Sequence, residues 1–263
     1  MDLGTTYGPF DTVLDPGRAA SFAEALNLPG GPEVVPPTFI AAATRGAMMH
    51  ALSRSVPAEG LQGGVHGEQD MYWARPLAPG MVLRTMVEVR SVRVGPTGSR
   101  VTLWIGSRNE DDAPVAEQYW TTFFRGADLG PAGGPDAPDH ALPEQRPAPR
   151  RTVVDIADDQ PIRYGRASGE DSSIHVDAEA ARAAGFRTFI VHGMASLALC
   201  AGAITDAGDP GRLRRLAARF VGVAYPGTQL EVTSYPLDAL SYAFEARSPD
   251  GLVLTNGRLE LRP

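Results

Sequence analysis

In the first half of the chain, the order of apolar and polar positions predicts one helix followed by strands. Residues 39–49 are mostly apolar and small, and a Pro-Gly pair at 79–80 opens a different pattern further along the chain. After this pair, apolar residues such as Leu83 and Val89 alternate with charged ones. Period-two alternation is typical of strands with one buried and one exposed face. Residues 119–124 predict a further strand at the end of this half.

The second half of the chain repeats the same order. An apolar stretch at residues 194–201 is followed by a Pro-Gly pair at 226–227, and Leu230 and Val232 then alternate with polar neighbours. Residues 257–262 again alternate and predict a final strand. A repeated order of helix, turn and strands indicates two similar units in one chain.

The helix predicted from Met194 to Asp206 is apolar on nearly every side, with Gly208 as its C-terminal cap. A helix of this kind must be enclosed by other elements. A curved antiparallel sheet wrapped around it would enclose it, and two such sheets can pair edge to edge and so cover an exposed edge strand. The predicted fold class is α+β, with two fused units that each wrap an antiparallel sheet around a central helix.

The two units are separated by residues 126–150, which contain six prolines and four glycines. Such a composition, with few large apolar residues, is typical of a linker. We therefore predict an N-terminal unit at residues 1–125 and a C-terminal unit at residues 151–263.

The composition is that of a globular protein, with 43% hydrophobic and 21% charged residues. The sequence has no apolar run of about 18 residues, so we expect no membrane span. Residues 1–6 lack the basic and apolar segments of a secretory signal. The single cysteine, Cys200, has no internal disulfide partner, so we expect a cytoplasmic protein.

The formal net charge of −7 argues against nucleic acid as a partner, because duplex binding depends on neutralising phosphates. One basic cluster stands apart, formed by Arg212, Arg214, Arg215 and Arg219. We interpret it first as a solvated face. The alternative is a contact for the phosphates of coenzyme A or of a carrier protein's prosthetic arm.

Candidate chemistry is concentrated in residues 164–177, a segment rich in Ser and Gly that predicts a loop. Glu170, Asp171 and His175 lie within six residues of one another. Histidine can give and take a proton near neutral pH. A carboxylate and an imidazole that hold one water are suited to adding or removing water.

A short helix is predicted after this loop, with Asp177 as its N-cap and Gly185 as its terminator. Residues 190–194 then lead directly into the second apolar helix. The start of a helix offers unpaired backbone N–H groups and the positive end of its dipole. A carbonyl oxygen that gains negative charge could be held there.

At these positions the chain resembles the MaoC-like (R)-specific enoyl thioester hydratases and dehydratases, whose fingerprint reads S-G-D-x-N-P-x-H with a V-H-G-M helix start about fifteen residues later. The matching residues here are Ser168-Gly169-Glu170-Asp171-Ser172-Ser173-Ile174-His175 and Val191-His192-Gly193-Met194. The first half resembles the family's degenerate partner unit at Pro36-Pro37-Thr38-Phe39, at His66-Gly67-Glu68-Gln69 and at Arg75-Pro76. The resemblance implies a double hotdog fold, with no metal and no redox cofactor.

The resemblance also implies roles for the matched positions. His175 would be the acid–base group, and the backbone N–H of Gly193 would polarise the thioester carbonyl. The family's aspartate falls on Glu170, one methylene longer, and the neighbouring Asp171 is the alternative acid. From its place before the buried helix, His192 is also expected to hydrogen-bond to the backbone. The residues expected to border the substrate are Tyr164, Ser168, His192 and Met194.

The first hypothesis is a lyase that hydrates 2-enoyl thioesters or dehydrates 3-hydroxyacyl thioesters of coenzyme A or a carrier protein. Alternatives are a thioester hydrolase, an enzyme that adds another nucleophile in a biosynthetic pathway, or a non-catalytic subunit that binds acyl thioesters. The first unit would be structural or would make room for a long acyl tail. The sequence leaves open the acyl chain length and whether the protein forms a homodimer.

Overall fold

The computed structural model of the protein describes residues 2–28, 33–61, 63–206 and 208–263. Its strands, numbered along the chain, are β1 (Thr6–Val13), β2 (Gly64–Trp73), β3 (Val82–Gly95), β4 (Gly98–Arg108), β5 (Pro114–Arg125), β6 (Arg150–Asp155), β7 (Leu213–Phe220), β8 (Gln229–Pro236), β9 (Ser241–Ser248) and β10 (Gly251–Leu261). Its α-helices are α1 (Pro16–Ala25), α2 (Phe39–Ser55), α3 (Ala58–Leu61), α4 (Gln160–Ser168), α5 (Ser173–Val176), α6 (Ala178–Ala183) and α7 (Gly193–Ile204).

The strands form one antiparallel sheet in the order β1-β3-β4-β5-β2-β7-β10-β9-β8-β6. The two halves of the sheet have the same strand order when each is followed from its outer edge to the centre. The first half is then β1-β3-β4-β5-β2, and the second is β6-β8-β9-β10-β7. The halves join where β2 pairs with β7, and Tyr72 lies opposite Arg215. The predicted repeat, the edge-to-edge pairing and the α+β class are confirmed.

The enclosed helix of the second half is α7. It carries no charged residue, and eight of its twelve residues are buried. It begins at Gly193, one residue earlier than predicted, and ends at Ile204, with Thr205 as its C-cap. The predicted cap at Gly208 is wrong, because the chain already turns at Asp206, which adopts a left-handed φ of 51°.

The predicted loop over residues 164–177 is wrong at both ends. α4 continues to Ser168 and is closed by Gly169, whose φ of +75° lets its N–H donate to the carbonyl of Gly165. After a short connection, residues 173–176 form the single helical turn α5. The Ser and Gly residues that indicated a loop therefore end one helix and begin another.

The helix predicted after His175 is confirmed as α6. The Asp177 side chain accepts hydrogen bonds from the N–H groups of Glu179 and Ala180, at 2.7 and 3.1 Å. Gly185, with a φ of +92°, follows the last turn. This cap fixes the direction in which the chain leaves α5, the turn that carries His175.

Two elements near the start of the chain complete the first half. β1 pairs with β3 at the edge of the sheet, and α1 packs on α4 of the second half. The contact includes the rings of Phe22 and Tyr164, whose centroids are 5.2 Å apart, and a hydrogen bond from Gln160 Nε2 to the Ala25 carbonyl at 3.1 Å. α1 therefore supports the helix that leads into the candidate site.

The segment between β5 and β6 follows the surface as an extended chain that is anchored at several points. Arg93 donates to the Gly133 carbonyl at 2.7 Å, and the Nδ1 of His140 lies 2.6 Å from the Asn256 carbonyl. Leu129 is buried in the core of the first half. The division of the chain into units at residues 126–150 remains a prediction.

The basic cluster is the solvated face that we favoured at Arg212, Arg214 and Arg219, which are exposed, but not at Arg215. Arg215 is buried, and its guanidinium donates to both carboxylate oxygens of Asp70. Arg214 pairs with Glu260 and Arg219 with Glu68. None of the helices in the described residues is long and apolar enough to cross a membrane.

Candidate active site

A cleft of about 1280 Å³ opens between the two halves of the molecule. Its walls come from α2, β2 and β5 of the first half and from the α4–α5 segment, the start of α7 and β7 of the second. The sequence-predicted site residues that line it are Tyr164, Ser168, Glu170, His175, His192, Gly193 and Met194. Asp171 is exposed and lies outside this lining.

His175 is held by the backbone of the segment that leads into α7. Its Nδ1 lies 2.9 Å from the carbonyl of Ile190. A carbonyl only accepts, so Nδ1 carries the proton and Nε2 keeps a lone pair. Burial lowers the pKa of His175, although this hydrogen bond and the charge of Glu170 act in the opposite direction. The imidazole is therefore neutral at pH 7, with an acceptor nitrogen.

His192 is the N-cap residue of α7 and lies beneath His175. The two imidazole rings are stacked, with centroids 3.8 Å apart and planes inclined by 19°. Nε2 of His192 donates to the carbonyl of Glu170 at 2.9 Å, which is the hydrogen bond to the backbone that we expected. Burial, and then the neighbouring His175, lower the pKa of His192 to about 3, so this ring is also neutral. His192 thus ties the His175 ring to the backbone of Glu170.

The Glu170 side chain reaches the cleft and meets an arginine from the first half. Nε and Nη2 of Arg45 lie 2.6 and 2.5 Å from Oε2 of Glu170. The backbone N–H of Glu170 donates to Oγ of Ser168 at 3.2 Å. Of the two candidate acids, Glu170 is therefore the one that the structure brings to the cleft beside His175.

Gly193 is the first residue of α7, and the side chain of His192 does not cap the helix. The N–H groups of a first helical turn have no partner within the helix, so they can bind an oxygen in the cleft. A Cβ on Gly193 would lie 2.8 Å from Cδ1 of Phe220. A larger residue here would require either the aromatic ring or the start of α7 to move.

The other predicted contact residues are buried in the wall of the cleft. Tyr164 is almost fully buried, with its ring 4.8 Å from that of His192, and burial and the charge of Glu170 raise its pKa. Ser168 and Met194 are also buried at the cleft wall. In the described residues, no group of three or more His, Cys, Asp or Glu side chains could hold a metal ion.

The sequence pattern of the MaoC like domain family matches residues 140–238. This part of the chain is a MaoC-like domain. The match includes α4 to α7, and with them every predicted site residue.

Relatives and solved structures extend the likeness to the rest of the chain. A probable enoyl-CoA hydratase 2 from Dictyostelium discoideum is 24% identical over 76% of this chain and 70% of its own length. The peroxisomal multifunctional enzyme type 2 of Drosophila melanogaster is 31% identical over 64% of this chain, but this chain spans only 29% of that protein.

Among solved structures, a MaoC-like dehydratase from Phytophthora capsici has a TM-score of 0.86 at 20% identity, over 98% of this chain and 94% of its own. A Mycobacterium tuberculosis protein described as a double hotdog has a TM-score of 0.67 at 16% identity, over 100% of this chain and 96% of its own. At these identities the likeness concerns the fold, and it confirms the double hotdog.

The first half adds cleft residues that lie outside the MaoC-like domain. The ring of His66 stacks on that of Trp120, with centroids 3.5 Å apart. Its centroid is also 4.6 Å from that of Phe220, at the end of β7 in the second half. These rings form one wall of the cleft, next to Gly193. Sequence reasoning had named His66 only as part of a weak motif and had missed Trp120 and Phe220.

Arg45 was also missed, although the sequence carries a signal for it. It is the only charged residue in the apolar stretch at residues 39–49. A charge in a buried helix needs a partner, because an unpaired charge is costly in the interior. That rule would have predicted a partner for Arg45, but it could not have identified Glu170, 125 positions away.

Proposed function

We propose that this protein is a hydro-lyase, an (R)-specific 2-enoyl thioester hydratase that also catalyses the reverse dehydration of 3-hydroxyacyl thioesters. The observation that carries the proposal is the arrangement at the cleft, where His175, Glu170 and the first residues of α7 all belong to the lining of one cavity. The names of the relatives support the same reaction, since the Dictyostelium protein is a probable enoyl-CoA hydratase.

In the proposed reaction, Glu170 and His175 hold one water beside the C2–C3 double bond. The water's hydroxyl adds to C3, and a proton passes through the acid–base pair to C2. His175 can accept a proton, because its Nε2 keeps a lone pair while Nδ1 is held by Ile190. The thioester carbonyl, which gains negative charge as C3 is attacked, is held by the N–H of Gly193 at the start of α7.

The substrate in this proposal is an acyl thioester of coenzyme A or of a carrier protein. Residues 151–263 would supply the acid–base groups, and residues 1–125 would supply the remaining walls of the cleft. The aromatic wall of His66, Trp120 and Phe220 suits an apolar acyl chain. A cytoplasmic location is part of the same proposal.

The test is hydration of crotonyl-coenzyme A, followed as loss of the enoyl thioester absorbance, with chiral analysis of the product. We expect the (R)-3-hydroxyacyl thioester. The change of His175→Ala should lower kcat by about 10²- to 10⁴-fold, the usual contribution of a general acid or base, without loss of the fold. Asp171→Ala is the matched control, because Asp171 is a neighbouring acid outside the cleft lining.

Three results would contradict the proposal. Release of free thiol by the wild-type protein would indicate a thioester hydrolase. An unchanged kcat in the His175→Ala variant would remove the proposed acid–base group. Absence of any reaction with short and long enoyl thioesters, combined with tight binding of them, would indicate a binding subunit.

A further inference from the structure

The first half of the chain contributes a charged side chain to the candidate site. Arg45 lies in α2 and contacts Glu170 through two nitrogens, and the two side chains are only 28% and 29% exposed. From this geometry we infer that Arg45 is a positioning residue that holds the Glu170 carboxylate at the cleft. The inference rests on the proposed function and assigns one of the site's positioning groups to the unit outside the MaoC-like domain.

The main chain of Glu170 is already fixed on both sides. Its N–H donates to Oγ of Ser168, and its carbonyl accepts from Nε2 of His192. These bonds leave the side-chain torsions free. Glutamate has one torsion more than aspartate, so its carboxylate spreads over more positions unless its far end is held. Arg45 supplies that restraint.

Both contacts from Arg45 are to the same oxygen, Oε2 of Glu170. The other oxygen, Oε1, is therefore left to hold the reacting water. The guanidinium is planar and its donors have a fixed geometry, so two donors that converge on Oε2 fix the position of that oxygen more closely than one donor would. A lysine in the same place would supply charge without this directional control.

The place of Arg45 on α2 explains how it reaches across the cleft. Residues 41, 45, 48 and 52 follow helical spacing and all line the cleft, so they share one face of the helix. The rest of this stripe is apolar, with Ala41, Met48 and Leu52 buried. The guanidinium is the charged group of this face, and Glu170 is its ion-pair partner.

Two other roles for Arg45 lead to different measurements. If Arg45 bound an anionic part of the substrate, its loss would raise KM and leave kcat nearly unchanged. If it only joined the two halves of the molecule, its loss would lower thermal stability and leave the kinetics of the folded protein unchanged. A positioning residue lowers kcat, and it does so only while Glu170 is present.

The variants for the test are Arg45→Met, which keeps the length of the side chain, Arg45→Lys, which keeps the charge, and Glu170→Gln. Arg54→Met is the matched control, because Arg54 lies in the last turn of the same helix and is exposed. We expect Arg45→Met to lower kcat for crotonyl-coenzyme A by up to about 100-fold, as a displaced catalytic group does, with little change in KM. Arg45→Lys should recover part of this loss, and the control should match the wild type.

The double variant of Arg45→Met and Glu170→Gln decides whether Arg45 acts through Glu170. We expect it to be no slower than Glu170→Gln alone, because the two losses share one cause. Losses that multiply, or a rise in KM alone, would overturn the inference. If Arg45→Met does not fold, Arg45→Lys takes its place in the same cycle.

A crystal structure of the Arg45→Met variant separates this inference from the proposed function. We expect the Glu170 carboxylate to be displaced or spread over several conformers. A carboxylate that keeps its place would overturn the inference, even if the wild-type protein is an active hydratase. A wild-type protein that hydrates no enoyl thioester would overturn the proposed function, while a displaced carboxylate would still show that Arg45 holds Glu170.

Discussion

At the scale of single residues, two hydrogen bonds decide which nitrogens are available for chemistry. His175 uses Nδ1–H for the Ile190 carbonyl, and His192 uses Nε2–H for the Glu170 carbonyl. The stacked rings therefore differ in function although both are neutral. His175, which lines the cleft, keeps Nε2 as an acceptor, whereas Nδ1 of His192 is buried and has no hydrogen-bond partner among the described residues.

At Gly193, the addition of a single methyl group should have a large effect on kcat. Gly193→Ala would place a Cβ 2.8 Å from Cδ1 and 3.0 Å from Cε1 of Phe220. Contacts this short force either the ring or the start of α7 to move, which would displace the N–H that would hold the carbonyl oxygen in the proposed reaction. We expect a loss of kcat of up to about 100-fold, measured with crotonyl-coenzyme A.

The matched control for this prediction removes the ring. Phe220→Ala in the Gly193→Ala background should recover part of kcat, because the added methyl group then has space. Equal kcat values for wild type and Gly193→Ala would show that the packing of Phe220 does not fix the position of the N–H.

At the scale of elements, the sequence correctly predicted the turns and helix ends that depend only on residues close together in the chain. The Pro-Gly turns precede β3 and β8, and Asp177 and Gly185 bound α6 as expected. The prediction of a loop over residues 164–177 was wrong because tertiary contacts override weak local preference. Tyr164 and Ser168 are buried, and this burial stabilises α4 in a segment whose composition favours a loop.

The cap of α6 offers a test at this scale. Asp177→Ala removes the acceptor for the N–H groups of Glu179 and Ala180, so we expect the free energy of unfolding to fall by about 1 kcal/mol. Urea unfolding followed by circular dichroism measures it. Asp177→Asn keeps a capping oxygen and should lie close to the wild type, and an equal loss in both variants would contradict the capping role.

At the scale of the whole molecule, the repeat and the pairing of the two sheets were predictable from the sequence, whereas the contacts across the junction were not. Periodicity locates buried faces within each unit, but it carries no information about which residues meet between units. Arg45 with Glu170 and Arg215 with Asp70 are 125 and 145 positions apart. The N-terminal elements β1 and α1 likewise depend on partners elsewhere in the chain, namely β3 and α4.

The ion pair of Asp70 and Arg215 lies where β2 meets β7, so it tests how firmly the two sheets are joined. Asp70 is 2% exposed and Arg215 is 8% exposed. Asp70→Asn would leave the buried guanidinium of Arg215 without its main counter-charge, although Oε1 of Glu260 remains 3.6 Å from Nη1 of Arg215. We expect the free energy of unfolding to fall by about 3 kcal/mol, the lower end of the usual loss for one partner of a buried pair.

The control for this last prediction is Asp11→Asn, because Asp11 and its partner Arg84 are 58% and 62% exposed and such pairs contribute little. Urea unfolding of both variants at pH 7 measures the difference. Replacing both buried charges, with Asp70→Leu and Arg215→Met together, should recover much of the loss, because no unpaired charge then remains in the interior. If Asp70→Asn were as mild as Asp11→Asn, the junction would be held by the backbone ladder of β2 and β7 and by apolar packing rather than by this charge pair.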